Sequence, residues 1–308
     1  MSRWSRLLLL VSLRSTHSFM PVTTRLSPKR QVTSFASPPP KKKSRIVTPP
    51  PAAKAPKDWE SIYSLVEELR KDRTAPCDHL GCEALAQGAS PKDQRFVALV
   101  SLMLSSQTKD AVVAQAIANL REAGALTVEG MHALTPEELN AHIRSVGFHN
   151  NKTKYLRQAT SLLLEHYEGD IPPTAQAMME LPGVGPKMAY ICENVAWGRQ
   201  TGIGVDTHMH RLFALLGWTM NAKTPEQTRL QLEAWLPHEY WASVNLLWVG
   251  FGQEVQQEKS KVLRKALDCS RPYEALKLLK RCGLDYKKEA VKEGCIEEVD
   301  AVLKKGSN

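Results

Sequence analysis

From residue 58 onward the sequence predicts an all-α protein. Apolar residues recur at three- and four-residue spacings, no alternating run is long enough to argue for a sheet, and the periodic segments are separated by cap residues and prolines. With 308 residues and 43% hydrophobic content, the chain can hold one large domain or two modest ones.

The segment before residue 58 is of another kind. Residues 1–57 hold twelve of the 41 Lys and Arg, none of the 32 acidic residues and nine of the 19 prolines. The remainder, with 29 basic residues against 32 acidic, is slightly negative, so the formal charge of +9 is no evidence for a basic surface on the folded body. Such a tail cannot bury enough apolar area to offset the entropy of ordering it, which predicts a disordered basic targeting tail over 1–57. Its first part, to about Ser37, carries Arg and Ser and the short run Leu7-Leu8-Leu9-Leu10-Val11, which suits a mitochondrial transit peptide. A secretory signal is the rival reading, weakened because Arg14 closes the run early; the run is too short for a membrane span. Lys41-Lys42-Lys43-Ser44-Arg45 reads as a nuclear localisation signal or as a solvated basic linker. Together these point to nucleus and mitochondrion. The six cysteines read as reduced thiols, and Cys77 and Cys82 with His79 between them do not amount to a metal site.

Along the body, residues 58–71 (Trp59, Ile62, Leu65, Val66, Leu69) form an amphipathic first helix, and 76–87 read as a connecting loop. Pro91 opens a strongly apolar helix whose 96–104 stretch suggests burial on nearly all sides. A polar break, Leu104-Ser105-Ser106-Gln107-Thr108-Lys109-Asp110, separates it from a helix over 111–120. Thr135-Pro136-Glu137-Glu138 starts a helix ending at Gly147. A second loop, Phe148 to Thr153, leads into a long helix over 154–167, with Lys152 and Lys154 read as solvated helix-start charges or phosphate contacts. Thr174 caps a short helix, 175–181. After the turn that follows comes a helix over 187–197, then one over 207–216 capped by Asp206, one from Thr224 to about Trp235, and one over 239–250.

The turn between the helices over 175–181 and 187–197 is the most informative stretch: Leu181-Pro182-Gly183-Val184-Gly185-Pro186-Lys187. Gly183 and Gly185 permit positive φ and close backbone approach, and Pro186 suits the first position of a helix, where its missing N–H would be unpaired anyway. The free amides of that helix start, aided by the macrodipole, suit one phosphate. Lys187 falls in the first helical turn, where the positive end of the dipole disfavours a charged ammonium; an uncharged lysine amine is a nucleophile. By itself this could be a plain helix–helix turn with a solvated lysine, and Asp206, nineteen residues beyond Lys187, a plain N-cap. His208 and His210 stand two apart on a helix and face different sides, so no metal is expected there.

Taken together, Gly183-Val184-Gly185 with Lys187, and Val205-Asp206-Thr207-His208 downstream, resemble the helix-hairpin-helix of the endonuclease III family of DNA glycosylases. The resemblance covers roughly residues 58–253. It implies a two-domain helix-hairpin-helix DNA glycosylase fold: a helical barrel over 91–199 with the hairpin at about 175–197, and a second helical domain built from 58–90 and 200–253. It also implies a bifunctional enzyme that removes oxidised pyrimidines and cleaves abasic sites in double-stranded DNA, acting as a monomer with no membrane. Lys187 and Asp206 would be catalytic, and Gly183, Val184 and Gly185 would hold a phosphate. Leu104-Ser105-Ser106-Gln107-Thr108 resembles the family's loop whose glutamine enters the DNA stack, so Gln107 would fill the gap left by the flipped base. The resemblance also implies a second wedging residue in the next loop, at His149 or Asn150.

The resemblance stops after Gln253. Most relatives close the second domain with four closely spaced cysteines on a [4Fe–4S] cluster, whereas 254–308 offers Cys269, Cys282 and Cys295, each thirteen residues from the next, in helical, lysine- and glutamate-rich sequence. That pattern predicts a divergent C-terminal segment, no cluster and no other cofactor, with the alternative that the chain is a catalytically impaired DNA-binding variant.

Overall fold

Seven helices begin on a side chain that accepts an orphan amide of the first turn: Ser90, Thr127, Thr135, Thr174, Asp206, Thr224 and Asp285 each accept from the residue three further on. The computed structural model describes residues 54–306, and they are all-α. The transit-peptide and nuclear-signal readings fall on residues 1–53, which lie outside the described residues.

The order is α1 (Trp59–Leu69), α2 (Pro76–Leu80), α3 (Cys82–Ala86), α4 (Pro91–Ser105), α5 (Asp110–Glu122), α6 (Val128–Ala133), α7 (Pro136–Ile143), α8 (His149–His166), α9 (Ala175–Met178), α10 (Pro186–Trp197), α11 (Thr207–Leu215) and α12 (Pro225–Glu233). A 3-10 turn, His238–Tyr240, leads to α13 (Trp241–Gln257), α14 (Lys259–Asp268), α15 (Pro272–Arg281), α16 (Tyr286–Lys292) and α17 (Ile296–Gly306).

Two hydrophobic cores organise them. The first is a barrel around α4, whose residues from Phe96 to Leu104 are all buried, so this stretch of the helix has no solvent face. Helices α3, α5, α8 and α10 pack around it, and Val184 of the hairpin turn plugs the same core. The second core joins α1 to α11 and α13 through an aromatic cluster, and the C-terminal helices pack into the same core. In it Phe213 stacks on Trp218 at 5.2 Å, and Trp248 meets Trp218 edge-on at 4.9 Å. Val262, Leu276, Leu279, Cys282, Tyr286 and Val299 lie in that core, so the segment beyond Gln253 fills it rather than trailing from it.

Several elements differ from the sequence reading. The stretch 76–87 is two short helices, because Asp78 accepts the Ala75 amide at 2.8 Å and is itself gripped by Arg70 Nη2 at 2.7 Å. Ala86 of α3 lies in the barrel core. Helix α8 starts five residues earlier than expected, directly after Phe148 in the left-handed region at φ +56. Helix α13 does not end at Gly250 but runs to Gln257. Its glycines are packing residues: a Cβ at Gly250 would fall 2.1 Å from Arg70 Nη2, and one at Gly252 would fall 2.8 Å from His208 Cβ.

A buried charged network ties the second core to the wall of the site. Arg70 donates to Glu254 Oε1 at 2.9 Å and to both Asp78 oxygens, and Lys265 on α14 reaches Glu254 Oε1 at 2.8 Å and Asp72 at 2.7 Å. Removing either member of such a pair leaves a buried charge uncompensated.

Candidate active site

The hairpin turn is built by local constraints. Gly183 sits at φ +82, and a Cβ there would come within 2.7 Å of the Tyr155 ring, so this position needs glycine for both conformation and space. A Cβ at Gly185, by contrast, meets nothing within 4 Å, which leaves bare backbone facing outward at the start of α10. Glu193, 1% exposed, accepts the Ala175 amide at 3.0 Å and the Thr201 amide at 3.2 Å, fastening α9 and the chain after α10 to one carboxylate. No local signal in the sequence marks Glu193 for this role.

Lys187, in the first turn of α10, and Asp206, at the head of α11, line one cleft of about 1080 Å³ between the two cores. The extended segment before Asp206 presses on the back of α10: a Cβ on Gly204 would fall 3.0 Å from the Lys187 carbonyl oxygen. Asp206 is 8% exposed, and its Oδ1 accepts the Met209 amide at 2.8 Å. That bond fixes the carboxylate, so capping and any chemical role fall on the same side chain. Two thiols share the cleft. Burial pushes Cys77 up to about 12 and Cys82 up to about 11, the charge of Lys187 pulling the latter the other way. Both therefore stay protonated near neutrality, and a thiol is a far weaker nucleophile than its thiolate.

Gln107 lies at the edge of the same cleft, exposed and in the left-handed region at φ +50. A smaller cavity of about 280 Å³ links Gln107, Phe148, Tyr155 and Gly183, so the two interhelical loops and the hairpin turn form one surface. Gly147 makes the approach of the loops possible, since a Cβ there would sit 2.6 Å from the Gln107 carbonyl oxygen.

Two expected contact residues are placed differently. His149 turns back into the fold, its Nδ1 within 3.1 Å of Asn140 Oδ1, while the neighbouring Phe148 is 60% exposed beside Gln107. A large apolar side chain next to a glycine at a helix start was the available signal. Val184 does not present its amide outward: its N–H donates to Leu181 O at 3.2 Å, and its side chain is 8% exposed in the barrel core. Lys152, read as a solvated helix-start charge or a phosphate contact, is buried at 5% exposure.

Residues 100–238 match the HhH-GPD superfamily of base excision DNA repair proteins. Over 239 residues the chain is 47% identical to the endonuclease III-like protein 1 of Bos taurus, covering 77% of this chain and 78% of that protein. The chain belongs to the endonuclease III family. It is also 47% identical over 202 residues to the endonuclease III homolog of Schizosaccharomyces pombe, covering 65% of this chain but spanning only 57% of the relative's length. Its fold resembles endonuclease III in a non-covalent complex with DNA, with a TM-score of 0.53 and 28% identity over 62% of this chain and 84% of that one. As an endonuclease III relative it is thus a base excision repair DNA glycosylase of the helix-hairpin-helix type.

The iron–sulfur cluster common in the endonuclease III family finds no matching residues here. It needs four thiolate ligands, and the C-terminal helices offer three cysteines. Cys282 and Cys295 are buried in the apolar core, burial pushing Cys282 up to about 12, and Cys269 Sγ donates to Ala266 O at 3.2 Å. Among the described residues no group of three or more His, Cys, Asp or Glu is arranged to hold a metal ion.

Proposed function

We propose that this endonuclease III relative is a bifunctional glycosylase and abasic-site lyase acting on oxidised pyrimidines in duplex DNA. The observation that carries the reading is the joint placement of Lys187 and Asp206 in one cleft whose rim bears Gln107, Phe148 and the bare hairpin turn. The amides around Gly183 and Gly185 and the start of α10 hold a backbone phosphate. Gln107 and Phe148 enter the stack beside the extruded nucleotide, Phe148 taking the wedge role that the sequence left between His149 and Asn150.

The uncharged Lys187 amine attacks C1′ of the flipped nucleotide, the bond from C1′ to the base breaks, and the base leaves with the electron pair and takes up a proton. Loss of the amine proton and opening of the sugar give a Schiff base. Removal of a C2′ proton then expels the 3′ phosphate by β-elimination, and water releases Lys187. Asp206 accepts a proton from the amine or stabilises positive charge growing on the sugar. The C-terminal helices stand in for the cluster, so no iron is required. The protein acts as a monomer in nucleus and mitochondrion, the latter supported by the acid-free composition of residues 1–57. No helix among the described residues is long and apolar enough to cross a membrane.

Borohydride trapping on a duplex containing an oxidised thymine, with Lys187→Gln alongside, tests the assignment. A covalent band that vanishes in the variant is expected. Tight binding by folded protein with no band would leave a helix-hairpin-helix DNA-binding variant as the better reading.

A further inference from the structure

A single side chain holds the Gln107 loop from beneath. Lys152 Nζ donates to Leu104 O at 2.7 Å, to Ser106 O at 2.6 Å and to Thr108 Oγ1 at 3.2 Å. Three acceptors converge on a nitrogen that has three N–H bonds only as the ammonium. Thr108 Oγ1 in turn donates to Ser106 O at 3.1 Å and accepts the Gly147 amide at 3.1 Å, which ties the clamp to the residue before Phe148. The ammonium therefore braces both loops beside Gln107 and Phe148, two of the five non-glycine residues with positive φ among the described residues. Such conformations persist only where the surroundings over-determine them.

No acid compensates the buried charge. Asp110 Oδ2 is taken by Gln253, His149 faces Asn140, and no carboxylate among the described residues shares a hydrogen bond or ion pair with Lys152. An apolar side chain of similar length would fill the space without the cost of burying a charge, so packing does not account for a lysine here.

We propose that Lys152 is a positioning residue: its ammonium sets the backbone of the Gln107 loop, and through it the pair Gln107 and Phe148, in the geometry that engages duplex DNA. The inference rests on the duplex-engaging role proposed above for those two side chains. Lys152 acts on extrusion of the nucleotide and not on the chemistry at Lys187.

The test uses the full chain with Lys152→Met, and with Thr108→Val as a milder break of the same clamp. Amide hydrogen exchange across 104–110 is expected to rise at least about tenfold in Lys152→Met, while 186–197 keeps the rates of the unsubstituted chain. Excision of oxidised thymine from duplex is expected to fall about tenfold or more in kcat, a loss several times larger than that of borohydride trapping on a single-stranded abasic oligonucleotide. Thr108→Val moves the same readouts less and adds little to Lys152→Met, as for two members of one network. Unchanged exchange at 104–110, or equal losses on duplex and single strand, would overturn the proposal. If Lys152→Met does not fold, Thr108→Val alone decides by the same two criteria. If the unsubstituted chain excises nothing, the glycosylase reading fails separately, and the exchange comparison still decides what Lys152 does.

Discussion

Gln253 donates through Nε2 to Asp110 Oδ2 at 2.7 Å while its Oε1 accepts the Cys77 amide at 3.0 Å. One buried amide side chain on α13 thus joins the second core to the head of α5, immediately after the Gln107 loop. Gln253→Ala leaves the Cys77 amide and Asp110 without this partner, which costs about 1–3 kcal/mol. A thermal denaturation series should show the loss, and kcat should fall more than DNA affinity, because the substitution loosens the two walls of the cleft against each other.

Asp206 carries a cap and a charge that two substitutions separate. Asn keeps an oxygen for the Met209 amide, so Asp206→Asn should melt close to the parent, whereas Asp206→Ala should lose about 1 kcal/mol. Both should lose glycosylase turnover by orders of magnitude. Full activity in a well-folded Asp206→Asn protein would reduce Asp206 to a helix cap.

Phe148 and His149 make opposite predictions. Phe148→Ala removes an exposed ring, so melting should be unchanged within about 0.5 kcal/mol while excision from duplex drops. His149→Ala removes a partner of Asn140 and should affect stability more than turnover. Melting curves and single-turnover excision on the two variants distinguish the wedge directly.

Burial holds the Lys152 ammonium down at about 8, below its ordinary 10.5. Between those values the unfolded chain retains a proton that the native state has released, so stability relative to Lys152→Met should rise as pH climbs from about 8 to about 10.5. The third donor of the clamp is lost over the lower part of the same window. Duplex excision should therefore decline above about pH 8 even as the difference in melting temperature moves in favour of the unsubstituted chain.

The C-terminal helices should behave as core. Leu279 is fully buried, and Leu279→Ala should cost about 2–5 kcal/mol. Iron chelation should leave the melting temperature unchanged, and purified protein should lack the absorbance of a cluster. Stoichiometric iron in the native protein would refute the cluster-free reading.

What was legible in the sequence was local. Thr135, Thr174, Asp206 and Thr224 announce their helices because a cap and its amide lie three residues apart. The hairpin turn was equally readable, since Gly183 and Pro186 carry their conformational demands in their own chemistry.

What was missed depends on partners far along the chain. Lys152 looks like a surface lysine until the carbonyl of Leu104 is found beside it. Gly250 looks like a helix stop until Arg70 fills the space a side chain would need. Helix α2 is held by a guanidinium whose other partner, Glu254, lies 184 residues from Arg70. The outward turn of Phe148 follows from one left-handed residue, a conformation that composition does not reveal.

Trp59 and Val299 share one core, whereas the buried residues of the barrel core, among those described, run from Ala86 to Cys192. On the ribosome the barrel can close once α10 has emerged, while α1, made earlier, must wait with its apolar face uncovered for helices synthesised last. The two sides of the cleft are thus completed at different moments of translation. A nascent chain presents the hairpin and Lys187 before the core behind Asp206 exists, and its most aggregation-prone interval is the time α1 spends waiting.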